Sequence, residues 1–99
     1  MKLKVTEKII GYDNKSVFLD KDVEATYLLV FSMALNNTAK DESLTAEVKS
    51  KCFQLSTKLH TNKEVDLDLD ERSLIKERVN IIFNSPLICG RVSEALEGK

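Results

Sequence analysis

Apolar residues fall along this chain in two rhythms. In the opening stretch they are sparse: Leu3, Val5 and Ile9 punctuate a polar run, and Val17-Phe18-Leu19 forms a second short apolar stretch. Between them lies Gly11-Tyr12-Asp13-Asn14-Lys15-Ser16. Asp and Asn tolerate left-handed turn geometry and bond their own backbone, so the pattern predicts an N-terminal β-hairpin within residues 1–20. A lone two-stranded hairpin is marginal, so it must pack on the rest of the chain.

From Val23 the rhythm changes to helical spacing. Asp22 reads as the N-cap of a first helix over residues 23–36, with Val23, Tyr27, Val30, Phe31 and Ala34 at helical intervals. Leu28, Leu29 and Leu35 widen that apolar surface beyond one stripe, which predicts a central helix. Asn36-Asn37-Thr38 ends it, and residues 39–43 form a polar loop. Thr45 caps a second helix over residues 46–60, striped by Val48, Cys52, Leu55 and Leu59. Asp68 with Glu71 three positions later is a capping box with Asp in place of Ser or Thr, opening a third helix that runs to about Phe83. Leu67 and Leu69 anchor its entering chain. Ile75, Val79 and Ile82 make its inner face, and Leu74 and Ile81 lie on a second face with Arg78 between them. Ser85-Pro86 starts a fourth helix, with Pro at the first helical position, where its missing amide costs nothing. Ile88, Val92, Ala95 and Leu96 face inward, and Gly90 suggests a close approach of another helix.

The expected fold is therefore mainly α (α+β): about four short helices with an N-terminal β-hairpin. It forms a single domain over residues 1–99, divided into the hairpin (1–20) and a helical part (22–97). At 99 residues the chain buries only a modest core, so oligomerisation would be a natural supplement.

Charge narrows the function classes. Acids and bases nearly cancel, for a formal charge of -1. A general polyanion binder should be basic, so only a local basic face remains open to nucleic acid. The strongest apolar run, Tyr27-Leu28-Leu29-Val30-Phe31, is too short to span a membrane. The opening residues contain no apolar core of a signal peptide, so none is expected. Cys52 and Cys89 match no metal spacing and read as reduced, buried, small apolar side chains.

Chemistry is hard to place. With Asp66 as position one of a calcium loop, Asp68 and Asp70 fall at positions three and five and Glu77 at twelve. Position six, however, holds Glu71 where the turn needs Gly, and the capping box draws these residues into a helix. His60 is the only histidine. It lies eight residues from Cys52 on one helix, about two turns away and too far for a hydrogen bond, while a contact with Cys89 is left open by the sequence. No Gly-rich phosphate loop and no Gly-x-Ser-x-Gly elbow is present. Catalytic residues, a cofactor and a bound metal are therefore not expected, and the chain does not read as an enzyme.

Two surfaces are left for binding. Phe53, Leu74 and Ile81 fall outside the inner stripes of their helices and suggest a surface for a protein partner or for self-association. Lys49, Lys51 and Lys58 on the second helix are the alternative, a row for phosphate contacts with nucleic acid.

The run Val65-Asp66-Leu67, then Leu74-Ile75-Lys76-Glu77-Arg78-Val79, then Ser85-Pro86-Leu87-Ile88-Cys89-Gly90-Arg91-Val92 and Leu96-Glu97, resembles small uncharacterised proteins of tailed bacteriophages and prophages. The motifs that carry the likeness are caps and core positions. The resemblance implies a phage-encoded accessory protein acting in the cytoplasm of a bacterial host, and it carries no catalytic residues over to this chain.

Overall fold

The computed structural model describes residues 2–97. Four helices and four very short strands follow one another as β1 (Lys2–Lys4), β2 (Phe18–Asp20), β3 (Val23–Glu24), α1 (Tyr27–Asn36), α2 (Ala46–Thr61), β4 (Glu64–Asp66), α3 (Leu69–Ile82) and α4 (Pro86–Leu96). The architecture is thus the mainly helical α+β arrangement read from the chain, with a hairpin near its N-terminus. Among the described residues no helix is long and apolar enough to cross a membrane.

The strand pairing differs from the sequence expectation. The N-terminal hairpin is β2–β3, joined through Lys21 and Asp22, and Asp22 takes a left-handed φ of 65°. Asp22 is therefore a turn residue and not a helix cap. Val23, expected in the first helix, sits in β3 and is exposed. Thr26 caps α1 instead, its hydroxyl accepting from the Leu29 amide at 3.1 Å.

β1 pairs with β4, antiparallel, in the register Lys2–Asp66, Leu3–Val65 and Lys4–Glu64. This brings opposite charges face to face on both sides of an apolar centre. The segment after β1 then crosses the start of α1. The Glu7 carbonyl accepts from the Tyr27 amide at 3.1 Å and the Val5 carbonyl from Leu28 at 2.7 Å, so the orphan amides of the first turn find backbone partners. The Gly11–Ser16 turn does form: the Gly11 amide donates to Lys15 O at 2.8 Å, and Ile10 bridges Ser16.

The other caps agree with the sequence. Thr45 accepts from the Val48 amide at 3.2 Å. Asp68 and Glu71 form the complete capping box, with contacts of 2.8 and 3.0 Å. Ser85 caps α4 with Pro86 in its first turn. Two details are corrected. Leu69 does not anchor the chain, since it is 67% exposed while Leu67 is buried. Gly90 serves no close approach, because a Cβ there would meet nothing within 4 Å.

α1 packs on both α2 and α3, and α4 packs on α3. The core gathers Val30, Phe31, Ala34 and Leu35 of α1 with Cys52, Leu55 and Leu59 of α2, Ile75 and Val79 of α3, and Ile88, Val92 and Leu96 of α4. Val5, Ile9, Ala25, Val65 and Leu67 close it from the strand side. The expected centrality of the first helix follows from this arrangement.

Candidate interaction surface

α2 and α3 run antiparallel. Lys58 near the end of α2 meets Glu71 in the first turn of α3 at 2.9 Å, while Glu42, just before α2, meets Arg78 late in α3. Both helices lean on α1, and a groove of about 680 Å³ is left between them, lined by no residue of α1. Val48, Leu55 and Leu74 provide its apolar lining. Its carboxylates are Asp68, Asp70, Glu71 and Glu77, against two ammonium groups, Lys51 and Lys58.

Helical spacing explains why these residues meet. On α3, Asp70, Ser73, Leu74 and Glu77 are three, four and seven positions on from the first, which is one face of a helix. On α2, Val48, Lys51, Leu55 and Lys58, at offsets of three, seven and ten, likewise share one face. Ile81 lies seven residues beyond Leu74, prolonging the α3 face by two turns, and is 41% exposed.

The three expected apolar residues do not form one patch. Leu74 is half-buried in the groove, and Ile81 continues its face. Phe53, 71% exposed, is on the other side of α2, beside a shallower depression shared with Asn36, Thr57 and His60. The three lysines likewise do not form a row. Lys51 and Lys58 share the groove face, but Lys49 is two positions from Lys51, about 200° around the helix. Lys51 pairs with Glu47 at 3.2 Å, and Lys58 holds both carboxylate oxygens of Glu71 and the Asp66 carbonyl.

The groups considered for catalysis are engaged elsewhere. His60 Nε2 lies 3.1 Å from the Ser32 hydroxyl. The Cys89 thiol donates to the Phe83 carbonyl at 3.4 Å. Burial pushes the thiols of Cys52 and Cys89 above the ordinary cysteine value, the reverse of what an activated thiolate requires. Residues 69–77, where a calcium loop would have to bend, are helical. Among the described residues, no three His, Cys, Asp or Glu side chains cluster as a metal site.

Arg78 is the residue the sequence reading misplaced. The sequence places it on a second face of α3 between Leu74 and Ile81, yet it is 2% exposed. It reaches Glu42 and the backbone at the end of α1. The available signal was its place three positions after Ile75 and one before Val79, on the flank of the inner face. The groove carboxylates Asp70 and Glu77 were also missed as site residues, although their spacing with Leu74 was readable.

No protein-family model, no curated protein and no solved structure matches this chain.

Proposed function

We propose that this chain is a non-enzymatic accessory protein that acts by binding another protein, in the phage or prophage setting that its resemblance implies. The observation that carries the reading is the α2–α3 groove. Two helix faces converge there on Val48, Leu55 and Leu74, and Ile81 extends the apolar track into solvent. An apolar track framed by polar residues is the usual composition of a recognition surface. The engagement of His60, Cys52 and Cys89 in structural roles supports a binding role over a chemical one.

The test is affinity capture from bacterial lysates, with and without nuclease, by the wild type and by a folded Ile81→Asp variant. The expected result is a protein retained after nuclease treatment and lost with Ile81→Asp. Recovery that disappears with nuclease would overturn the reading, as would a partner that Ile81→Asp holds equally well.

A further inference from the structure

We propose that the α2–α3 groove receives an amphipathic α-helix of a partner protein, its apolar stripe lying on Val48 and Leu74 above the buried Leu55 and its flanks carrying Lys or Arg. This deepens the protein-binding reading and rests on it.

The walls decide the shape of the occupant. Both are α-helices, whose backbone donors and acceptors beyond the first turn of α3 are used within α2 and α3. An extended peptide would bring its own N–H and C=O groups to walls without backbone partners, and unsatisfied buried backbone is costly. A helix arrives with those groups internally paired. The α3 wall from Asp70 to Glu77 spans seven residues, about 10 Å, which is two turns of contact.

The rim decides the charge. Four carboxylates face two ammonium groups, and both lysines are already compensated, Lys58 by Glu71 and Lys51 by Glu47. Asp70 and Glu77 form no ion pair among the described residues and stand one above the other on the α3 wall. A helix flanked by Lys or Arg complements them, and one flanked by Glu or Asp is repelled. A second copy of this chain is a poor occupant. Among its own helices, α1 has no basic residue, and Arg91 of α4 is turned to the Ile10 and Gly11 carbonyls. The remaining exposed apolar residue of α2, Phe53, stands singly.

The test uses the full chain and two labelled helical peptides of about 18 residues, long enough to hold helix. One carries a Leu stripe with Lys flanks, the other the same stripe with Glu flanks. Binding is read by fluorescence anisotropy and by methyl NMR at Val48, Leu55 and Leu74. The Lys peptide is expected to shift those methyls and to bind at least about tenfold tighter than the Glu peptide, with the gap closing as salt is raised. Glu77→Lys and Asp70→Lys should each weaken the Lys peptide about tenfold, whereas Asp20→Lys on the distant hairpin should not. Equal binding of the two peptides overturns the basic partner, and so does a Lys peptide as sensitive to Asp20→Lys as to Glu77→Lys. If the Lys peptide leaves the three methyls unmoved while capture through Ile81 succeeds, the partner helix is wrong and protein binding stands. If both fail, both readings fall. A chain that sediments as a dimer through these same methyls would replace the partner helix with a second copy.

Discussion

Arg78 grips Glu42 through both carboxylate oxygens, Nη2 lying 2.9 Å from Oε1, while the same guanidinium donates to Asn37 O at 2.7 Å and Ala34 O at 3.4 Å. Ala34 and Asn37 belong to the end of α1, where helix carbonyls have no intrahelical donor. One side chain of α3 therefore serves the C-terminus of α1 and tethers the loop leading to α2. Glu42 is held in turn by the Ala39 amide at 2.9 Å. The Arg78 side chain is 3% exposed, so these contacts are made out of water, where an unmatched partner is expensive.

Replacing Arg78 with Leu leaves a carboxylate and two carbonyls without their donor. The expected loss is about 3 kcal/mol, a large part of the stability of a domain this size. Arg78→Lys should recover only part of it, because an ammonium cannot fork between carboxylate and carbonyls. Urea unfolding should show the midpoint fall at an unchanged slope. A wild-type midpoint for Arg78→Leu would mean that the contact network is energetically idle.

The same pair sets a pH dependence. The hydrogen bonds from Arg78, then the Ala39 amide, hold the Glu42 carboxyl below the ordinary glutamate value. The unfolded chain therefore takes up this proton before the folded one. The contribution is fully present above the ordinary value and is lost as pH falls from there through the lower, folded value. Glu24, held down by hydrogen bonds from Lys8 and Ser16, acts in the same direction. Thermal unfolding followed down the acid range should fall less steeply in Glu42→Gln than in the wild type, from a lower starting stability. Parallel curves would remove Glu42 from the acid response.

Gly90 is a site for stabilisation. It lies inside α4, it is exposed, and a Cβ there meets nothing within 4 Å. Gly90→Ala should add about 0.5–1 kcal/mol by reducing the freedom of the unfolded chain and favouring helix. Differential scanning calorimetry would register the higher Tm, and a lower one would show that the fold does not accommodate a methyl at this position.

The β1–β4 register offers a charge-swap test. Lys4→Glu sets a like charge opposite Glu64 and should destabilise by a few tenths of a kcal/mol. Adding Glu64→Lys restores the pairing and should return the loss. A double-mutant cycle by denaturant unfolding measures the coupling, and strictly additive effects would argue against the pair.

Nucleic acid should not bind through α2. Lys58 and Lys51 are committed to Glu71 and Glu47, and Lys49 points from another face. Gel mobility with single- and double-stranded DNA at low salt should show no shift. A shift that weakens with salt and is abolished by Lys51→Ala with Lys58→Ala would restore the basic-face alternative.

Much of the helical part was legible because its signals are local. Thr45, the Asp68–Glu71 box and Ser85-Pro86 act within one turn, so the chain states them directly. The stripe Cys52, Leu55, Leu59 survives as core for the same reason: helical period alone aligns it. Asp22 misled because Asp caps helices and also accepts left-handed turns, and only the β2–β3 pairing selects between the two. The candidate site was half legible. Leu74 and Ile81 were readable on one face of α3, but the groove exists only where that face meets α2.

By itself the sequence determined α2, α3 and α4, their caps and most of the apolar positions they turn inward, since these depend on neighbours a turn away. It also held Lys2-Leu3-Lys4 and Glu64-Val65-Asp66, complementary runs whose pairing could have been guessed. Only the tertiary structure decided that they pair, that Arg78 is buried, that Phe53 is parted from Leu74, and that Lys58 is neutralised by Glu71. Each of those outcomes joins residues many positions apart, and their energy depends on the packing of α2 and α3 against α1, which no local pattern encodes.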